Sequence, residues 1–467
     1  MLFVRRLVAR PPERALEPAS ASTEARSDVF SRLTGDAELP DDAQSPAFWL
    51  AFLLSALGLA FKAPDSLHLP QFWAEDAVVF FGEQRDHAWP LLFEPYGTYL
   101  HALPRLVAWA ATRSSAVSAP TVYCFAAWLV GALGLVSLRQ LRLAGLPYWV
   151  LLASIVIAPT NGELFGTITN AQWLTQFYFF GSLARLARGQ VARWPWLRCA
   201  IALLVGLSGP FSIFAAPIGV LLVVGSWSAN RLRLSQTAPI RWNSELTAIV
   251  VAALAQVGAI ALSPGSNIDG AGPPTLAGAL DVLRYVQVHA FVTELVSPQL
   301  FGLLCLTSLL LPLLWMRGST ERYVLLSAYG LVAMQVAAVL RKFAGQSFHL
   351  QVFEHGDRYY LIVKTLLFWL MALAVFRLAD RSKQLQHALL VVMVLLPLPR
   401  TWPVLQRPTL PDLHWKEQAA ALDEGKAAVI PISPRPWELR IDEAGKKPQP
   451  VSVHVGEAAK NPEARSR

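Results

Sequence analysis

The run CAIALLVGLSGPFSIFAAPIGVLLVVGSW, residues 199–227, contains no charged side chain over its 29 residues. A helix of about 20 apolar residues crosses a bilayer core because its backbone groups hydrogen-bond within the helix. Other uncharged runs follow the same pattern, mean hydropathy is +0.40, and only 15% of the 467 residues are charged, against about 25% in soluble domains. The sequence therefore predicts an all-α, polytopic integral membrane helical bundle. A β-barrel would need short alternating segments instead.

The same run also carries an interruption. Basic residues flank it on both sides, which predicts that it begins and ends on one side of the membrane. It is too short for two full spans of ~20 residues each, and Ser208-Gly209-Pro210 breaks it. We expect two short helices that meet at a turn near the outer leaflet. Non-helical backbone at that depth is tolerated against protein or a water-filled cavity, so the break is predicted to face the functional site.

The basic residues predict the orientation of the chain. Twenty of the 40 Lys and Arg residues fall in the N-terminal tail and in five short loops, whereas the intervening loops hold seven. By the positive-inside rule the first set is cytoplasmic, so this charge reflects topology and not nucleic-acid binding. The N-terminus is predicted inside and the C-terminus outside. The eleven predicted spans are 47–62, 121–138, 147–160, 171–187, two within 199–227, 244–262, 299–316, 323–340, 360–376 and 386–403.

Three regions follow from this pattern. Residues 1–46 are predicted to be a disordered cytoplasmic tail, and residues 47–403 a transmembrane domain with a large first outer loop, 63–120. Within that loop, Tyr99–Thr112 is expected to be a helix at the outer interface. Residues 404–467 are predicted to be a small extracytoplasmic tail, partly disordered, with two strand-like stretches at 428–433 and 437–441. The three cysteines lie in apolar runs and offer neither a disulfide framework nor a CxxC site.

The first outer loop contains the adjacent carboxylates Glu75 and Asp76. A carboxylate beside an acceptor hydroxyl can act as a general base, and hard oxygen ligands suit a divalent cation such as Mg²⁺ or Mn²⁺. Both residues are therefore candidate catalytic residues and candidate metal ligands. A solvated turn, or a pair favoured by the dipole at a helix N-terminus, explains the same two residues without chemistry.

The outer loops also supply candidate substrate-binding residues. Cationic side chains there could hold a phosphate, although snorkelling to lipid headgroups explains them equally. Aromatic side chains could stack on a sugar ring, although aromatic belts at the membrane interface are common, and a histidine could act as an acid or a base. The candidates are Arg105, Arg284, Arg358 and Lys364; Trp73, Tyr96, Tyr99, Trp173 and Tyr359; and His101, Glu163, Asn170 and Asp357.

The layout resembles the GT-C class of polytopic membrane glycosyltransferases. The resemblance rests on FWAED (72–76) and LFEPYGTYLHALPRL (92–106), which correspond to the acidic residues and surface helices of the first loop in that class. The chain is also similar to a group of bacterial membrane proteins that carry WAED, PYxxYLHxLPR, ITNxQW and GDRY stretches, here at 73–76, 95–105, 168–173 and 356–359. The resemblance implies a bacterial inner (plasma) membrane enzyme that uses a polyprenyl-phosphate-linked sugar. It also implies that Glu75 or Asp76 is the base or metal ligand and that Arg358 or Arg284 binds the lipid phosphate.

The sequence thus favours a membrane glycosyltransferase that moves a sugar from a polyprenyl-phosphate donor to an outward-facing glycan, lipid or protein. A transporter or flippase for a lipid-linked or anionic solute is the alternative. It would place charged residues inside spans and use broken helices. A non-catalytic partner in envelope polysaccharide assembly is the third possibility. No Walker loop, HExxH, GxSxG or Rossmann fingerprint is present.

Overall fold

The structure is a computed structural model that describes residues 46–86, 89–160, 163–190, 192–232, 239–263, 298–315, 319–342, 357–379 and 382–441. The predictions on the tail before Pro46, on Arg284 and its loop, and on the residues after Gly445 lie outside the described residues. Within them the protein is mostly helical with little strand, as predicted for an all-α membrane protein.

Thirteen helices of nine or more residues occur in the described part of the chain. They are α1 (Pro46–Lys62), α2 (Ala102–Ala111), α3 (Ala119–Val136), α4 (Tyr148–Val156), α5 (Phe177–Ala187), α6 (Pro195–Gly206), α7 (Phe211–Arg231), α8 (Ser244–Leu262), α9 (Pro298–Trp315), α10 (Ser319–Lys342), α11 (Leu361–Leu378), α12 (Lys383–Leu395) and α13 (Trp415–Asp423). The shorter helical segments include Asp65–His68, Asp76–Phe81, Gly82–Asp86, Trp89–Phe93, Gln172–Thr175, Asp357–Tyr359 and Leu398–Thr401.

Five helical segments are long and apolar enough to cross a membrane: Ala116–Gln140, Phe211–Arg231, Ser244–Leu262, Thr320–Arg341 and Leu361–Leu378. The protein is therefore membrane-embedded. Other predicted spans form apolar helices of 10–17 residues, among them Ala47–Lys62, Pro195–Gly206 and Lys383–Leu395. The predicted span 147–160 contains only the nine residues of α4, which extend about 14 Å at 1.5 Å per residue. The count of eleven spans remains a prediction.

The predicted interruption at Ser208-Gly209-Pro210 is confirmed: α6 ends at Gly206 and α7 begins at Phe211. The prediction of two short helices is wrong for the second one, since α7 has 21 residues against 12 for α6. Helix α7 continues through Pro217 to Arg231. The break therefore joins a half-length helix to a full-length one.

The helices pack around one large apolar core. Helix α8 lies against both α6 and α7, α1 lies against α3, and α10 contacts α5 and α7. On the other side of this bundle, α11 contacts α4, α9 and α12. Trp369, on α11, is fully buried and donates a hydrogen bond to Ser154 Oγ at 2.8 Å. Large apolar side chains on the outer faces of these helices are exposed, which suits a lipid environment.

A second apolar core lies at the end of the bundle where α1 ends and α3 begins. It combines Phe72 and Phe81 from the first loop with Trp415, Ile430 and Leu439 from the C-terminal tail. The Phe72 and Trp415 rings meet edge to face, with centroids 4.7 Å apart. We refer to residues 63–118 and 404–441, which enclose this core, as the cap. The two parts of the cap lie on one side of the bundle.

The two predicted strand-like stretches form an antiparallel pair, β1 (Ala428–Pro431) and β2 (Glu438–Ile441). Residues Ile430 and Leu439 face each other in register and are both buried. The pair joins the first loop directly, because the Ala74 amide donates to the Ser433 carbonyl at 2.6 Å. Helix α13, which was not predicted, covers the same core.

Candidate functional site

Asp76 links the first loop to the segment 163–170. Its carboxylate accepts hydrogen bonds from the Thr169 amide at 2.9 Å, from the Ile168 amide at 3.1 Å and from the Thr169 hydroxyl. Burial raises the pKa of Asp76 to about 7, and the Thr169 hydrogen bonds oppose this rise only in part. With its oxygens engaged by these donors and 2% exposed, Asp76 has a structural role here, in contrast to its prediction as base and metal ligand.

Glu75 has different surroundings although it adjoins Asp76. Its side chain is half-buried, and within the described residues its carboxylate forms no hydrogen bond or ion pair. Burial is the main cause that raises the pKa of Tyr96 and Tyr99, and the charge of Glu75 raises both further. The same charge contributes to the raised pKa of Arg358. The charge of Glu75 thus acts on two phenols and on a guanidinium.

Arg358 is held in place by residues from another loop. It donates through Nη1 to Glu163 Oε2 at 3.2 Å and to Asn170 Oδ1 at 3.1 Å. Its guanidinium lies over the Tyr359 ring, 5.1 Å from the centroid. Burial lowers the pKa of Arg358, but Tyr359 and Glu163 outweigh burial and raise it above its ordinary value. The side chain is 24% exposed, so a fixed, charged arginine remains partly accessible.

A tight turn presents the two tyrosines of the site. Tyr96 and Tyr99 pair through their backbones, and the intervening Gly97 and Thr98 have φ values of +57° and +83°. The Tyr99 ring stacks on His101, with centroids 4.4 Å apart. His101 is 2% exposed and its Nδ1 lies 3.0 Å from the Tyr99 carbonyl. Burial lowers the pKa of His101 to about 3, so it is neutral at pH 7 and supports the turn instead of acting as an acid.

The helix break packs against this turn through two glutamines. Gln172 Nε2 lies 3.4 Å from the Tyr99 hydroxyl, and a Cβ on Gly209 would meet Gln172 Oε1 at 2.4 Å. Gln256, from the middle of α8, donates to the Gly206 and Gly209 carbonyls and accepts from the Leu100 amide. A side chain at position 209 would separate the break from the site. The break thus borders the candidate site.

Three other predicted binding residues are engaged elsewhere. Arg105 is 1% exposed and donates to Glu83 at 2.7 Å, so it is unsuited to hold a phosphate. Lys364 forms a buried ion pair with Asp357. Both members of that pair are at most 1% exposed, which removes them from the set of ligand contacts.

The predicted tryptophans also have structural partners. Trp173 is buried and meets Phe211 and Tyr359 edge to face, at 5.0 and 5.1 Å. It therefore positions Tyr359 from behind and is not a stacking surface for a sugar. Trp73 pairs through its backbone with Ser433 of the C-terminal tail, while its side chain is half-buried.

Sequence reasoning missed two residues that build the site. Thr169 carries the contact to Asp76, and Gln256 joins α8 to the break and to Leu100. A glutamine in the middle of α8, which is apolar beyond its first turn, is costly in a membrane unless it is hydrogen-bonded, and this was the available signal for Gln256. Thr169 lies within the ITNxQW stretch and carries no comparable signal of its own.

Comparison with protein-family models, with curated proteins and with solved structures found no match to this chain. The geometry described above is therefore the basis for any functional assignment.

Whether the protein can bind the predicted divalent cation depends on which side chains are available as ligands. Asp76 faces hydrogen-bond donors, so it does not fit the role of a ligand. No group of three or more His, Cys, Asp or Glu side chains is arranged for a metal ion in the part of the chain that the structure describes. Glu75 alone does not make such a site. The Mg²⁺ or Mn²⁺ ion remains a prediction.

Proposed function

We propose that the protein is a membrane glycosyltransferase that moves a sugar from a polyprenyl-phosphate donor to an acceptor hydroxyl of a glycan, lipid or protein. The observation that carries the proposal is a chain of contacts: Thr169 binds Asp76, the neighbour of Glu75, and Asn170, the neighbour of Thr169, accepts a hydrogen bond from the partly exposed Arg358. Tyr96 and Tyr99 lie within the field of both Glu75 and Arg358. A carboxylate can take the proton of the acceptor hydroxyl, and a guanidinium can bind the phosphate of the donor.

In the proposed reaction, Glu75 acts as the general base. It accepts the proton of the acceptor hydroxyl while the hydroxyl oxygen forms a bond to the anomeric carbon of the sugar. The bond between that carbon and the phosphate oxygen breaks, and the electron pair leaves with the polyprenyl phosphate. Arg358 stabilises the developing phosphate charge through its planar guanidinium. Tyr96 and Tyr99 provide aromatic surface for the sugar.

We further propose that the site faces the outside of the inner (plasma) membrane, with the N-terminus cytoplasmic and the C-terminus extracytoplasmic. Its location rests on the distribution of basic residues. The contacts of the C-terminal tail with the first loop support a common side for the site and the tail.

The decisive experiment compares Glu75→Gln with Glu94→Gln in purified full-length protein in nanodiscs. Both glutamates belong to the first loop, but Glu94 is exposed. A panel of labelled polyprenyl-phosphate monosaccharides is supplied, and donor loss and product formation are measured. Glu75→Gln should reduce turnover about 100-fold or more, as for loss of a general base, whereas Glu94→Gln should retain it. Equal turnover in both variants at matched Tm would refute Glu75 as the base.

A transporter or flippase is the second candidate, and one observation favours it. Buried charges occur inside the bundle: Arg185 on α5 pairs with Glu245 on α8, and Lys62 and Lys364 are buried near Asp357. Buried ionisable groups in spans are typical of transport pathways. Proteoliposomes with a labelled polyprenyl-phosphate sugar distinguish the two functions. A transporter moves the lipid between leaflets and leaves its covalent structure intact, whereas a transferase cleaves the bond to phosphate.

A further inference from the structure

A groove of about 300 Å³ lies between α3 and α6, mostly toward the end of the bundle opposite to the cap. This volume is at the lower end of the range for ligand pockets. The second half of α3 and the length of α6 line it with apolar side chains, among them Leu133, Leu197, Ile201 and Leu204. At the end nearer the cap, the lining includes Leu103 of α2. Leu133 is 45% exposed, so the groove opens on the lipid-facing surface.

Three arginines line the other end of the same groove. Arg139 follows α3, and Arg193 and Arg198 lie at the start of α6. The Arg139 guanidinium lies over the Phe48 ring at 5.9 Å, and that of Arg193 lies over the Trp194 ring at 5.7 Å. Two of the charged groups thus lie over aromatic rings that line the same groove. Trp194 is 41% exposed, as expected for an aromatic side chain at a membrane interface.

We propose that this groove binds one anionic phospholipid, with the phosphate headgroup among the three arginines and one hydrocarbon chain along α6. Charge complementarity carries the inference, since a cationic end and an apolar body in one cavity match a negatively charged headgroup and its acyl chain. Arginines at the cytoplasmic ends of helices are common. These three differ from Arg231 and Arg241, which the charge pattern places on the same side, because they share a cavity with apolar walls. The site is separate from Glu75 and Arg358.

The test measures lipid retention by native mass spectrometry of the full-length protein. The protein is released from nanodiscs that contain phosphatidylglycerol and phosphatidylcholine with identical acyl chains. We expect one retained phosphatidylglycerol. The triple variant Arg139→Gln/Arg193→Gln/Arg198→Gln should lose it, with a decrease of about fivefold for each arginine removed. The matched double variant Arg231→Gln/Arg241→Gln should retain it.

A second variant tests the apolar half of the groove. Leu133→Trp adds volume at a partly exposed position of α3 and should exclude the acyl chain, so that phosphatidylglycerol is lost although all three arginines remain. Thermal unfolding of every variant identifies those that are folded. Equal retention of phosphatidylcholine and phosphatidylglycerol, or equal loss in the triple and double variants, would overturn the proposal. Retention of phosphatidylglycerol by the Leu133→Trp variant would also overturn the proposal.

Discussion

Thr169 donates two hydrogen bonds, from its backbone amide and from its hydroxyl, to the same oxygen of Asp76. This contact joins the first loop to the segment that carries Glu163 and Asn170, the two partners of Arg358. Glu75 and Arg358 belong to parts of the chain that are far apart in sequence. Asp76 therefore positions the candidate base relative to the candidate phosphate-binding group.

Asp76→Asn is expected to remove a pH dependence of stability. Burial raises the pKa of Asp76 from an ordinary value of 3.8 to about 7, so between these values the folded state binds more protons than the unfolded state. The stabilisation is complete below about pH 4 and is lost as the pH rises through 7. Over this interval the Tm of the parent should fall more steeply than that of Asp76→Asn. Parallel Tm profiles would contradict the assignment, and Glu94→Gln serves as the control.

Arg358→Lys is expected to lose donor turnover to the same extent as Arg358→Gln, although lysine keeps the positive charge. A lysine keeps the charge but lacks the planar fork that contacts Glu163, Asn170 and the Tyr359 ring together. Donor turnover should fall about 10-fold or more in both variants, equivalent to a loss of about 1.4 kcal/mol of transition-state stabilisation. Arg113→Lys, at an exposed arginine of the same side of the bundle, is the control. Full activity in Arg358→Lys would show that charge alone suffices.

Arg407→Met should detach the C-terminal part of the cap. Arg407 forms two hydrogen bonds with Asp65, at 2.9 and 2.7 Å, and neither side chain is more than 1% exposed. Removal of one member of a buried ion pair costs about 3–5 kcal/mol because the other charge remains buried. Limited proteolysis should cut the tail of this variant faster than that of the parent. The double variant Asp65→Leu/Arg407→Met should recover resistance, and Arg440→Met, at an exposed pair, should have no effect.

Gly134→Ala is expected to destabilise the bundle. A Cβ at this position would meet the Leu174 carbonyl oxygen at 2.6 Å, so α3 would have to move away from the segment 172–175. Overpacking of this kind typically costs about 1–3 kcal/mol. Gly225→Ala is the matched control, because its Cβ would meet no atom within 4 Å. Thermal unfolding in detergent measures both; an unchanged Tm for Gly134→Ala would contradict this close helix contact.

The side of the cap can be measured by cysteine labelling. In a chain without Cys124, Cys199 and Cys305, single cysteines replace the exposed Lys416 in α13 or the exposed Gln190 after α5. A membrane-impermeant maleimide applied to intact cells should label Lys416→Cys and leave Gln190→Cys unlabelled. The reverse result would invert the proposed orientation.

Local chemistry in the sequence predicts local features of this fold. The Ser-Gly-Pro break and the two-stranded pair are recognisable because their backbone requirements are met by adjacent residues. Span lengths were less predictable. The stretch 147–160 contains no charged residue and is mostly apolar, yet its helix ends at Val156, three residues before Pro159. Helix α13 carries charged residues on its exposed face and gave no membrane signal.

The site was predictable only as a set of candidate residues. Sequence places Glu75 beside Asp76 but does not indicate that Thr169 engages only one of them. It likewise does not reveal that Lys364 pairs with Asp357, or that Arg105 pairs with Glu83. The contacts of Asp76 and Arg105 depend on partners that are brought close by packing between segments, about which a pattern within one segment contains no information. Lys364 and Asp357 are only seven residues apart, but their spacing alone does not distinguish an ion pair from two separate ligand contacts.

The cap core is completed only late in synthesis, because it combines residues from both ends of the described chain. Phe72 and Phe81 leave the ribosome early, whereas Ile430 and Leu439, which complete the same core, are made near the end. At about 5–20 residues per second, the first loop waits roughly 20 to 70 s for these partners. Its aromatic side chains contact Tyr123 but lack their C-terminal partners throughout that interval. A chain truncated before residue 404 would keep them in that state permanently, which would make it a substrate for membrane quality-control proteases.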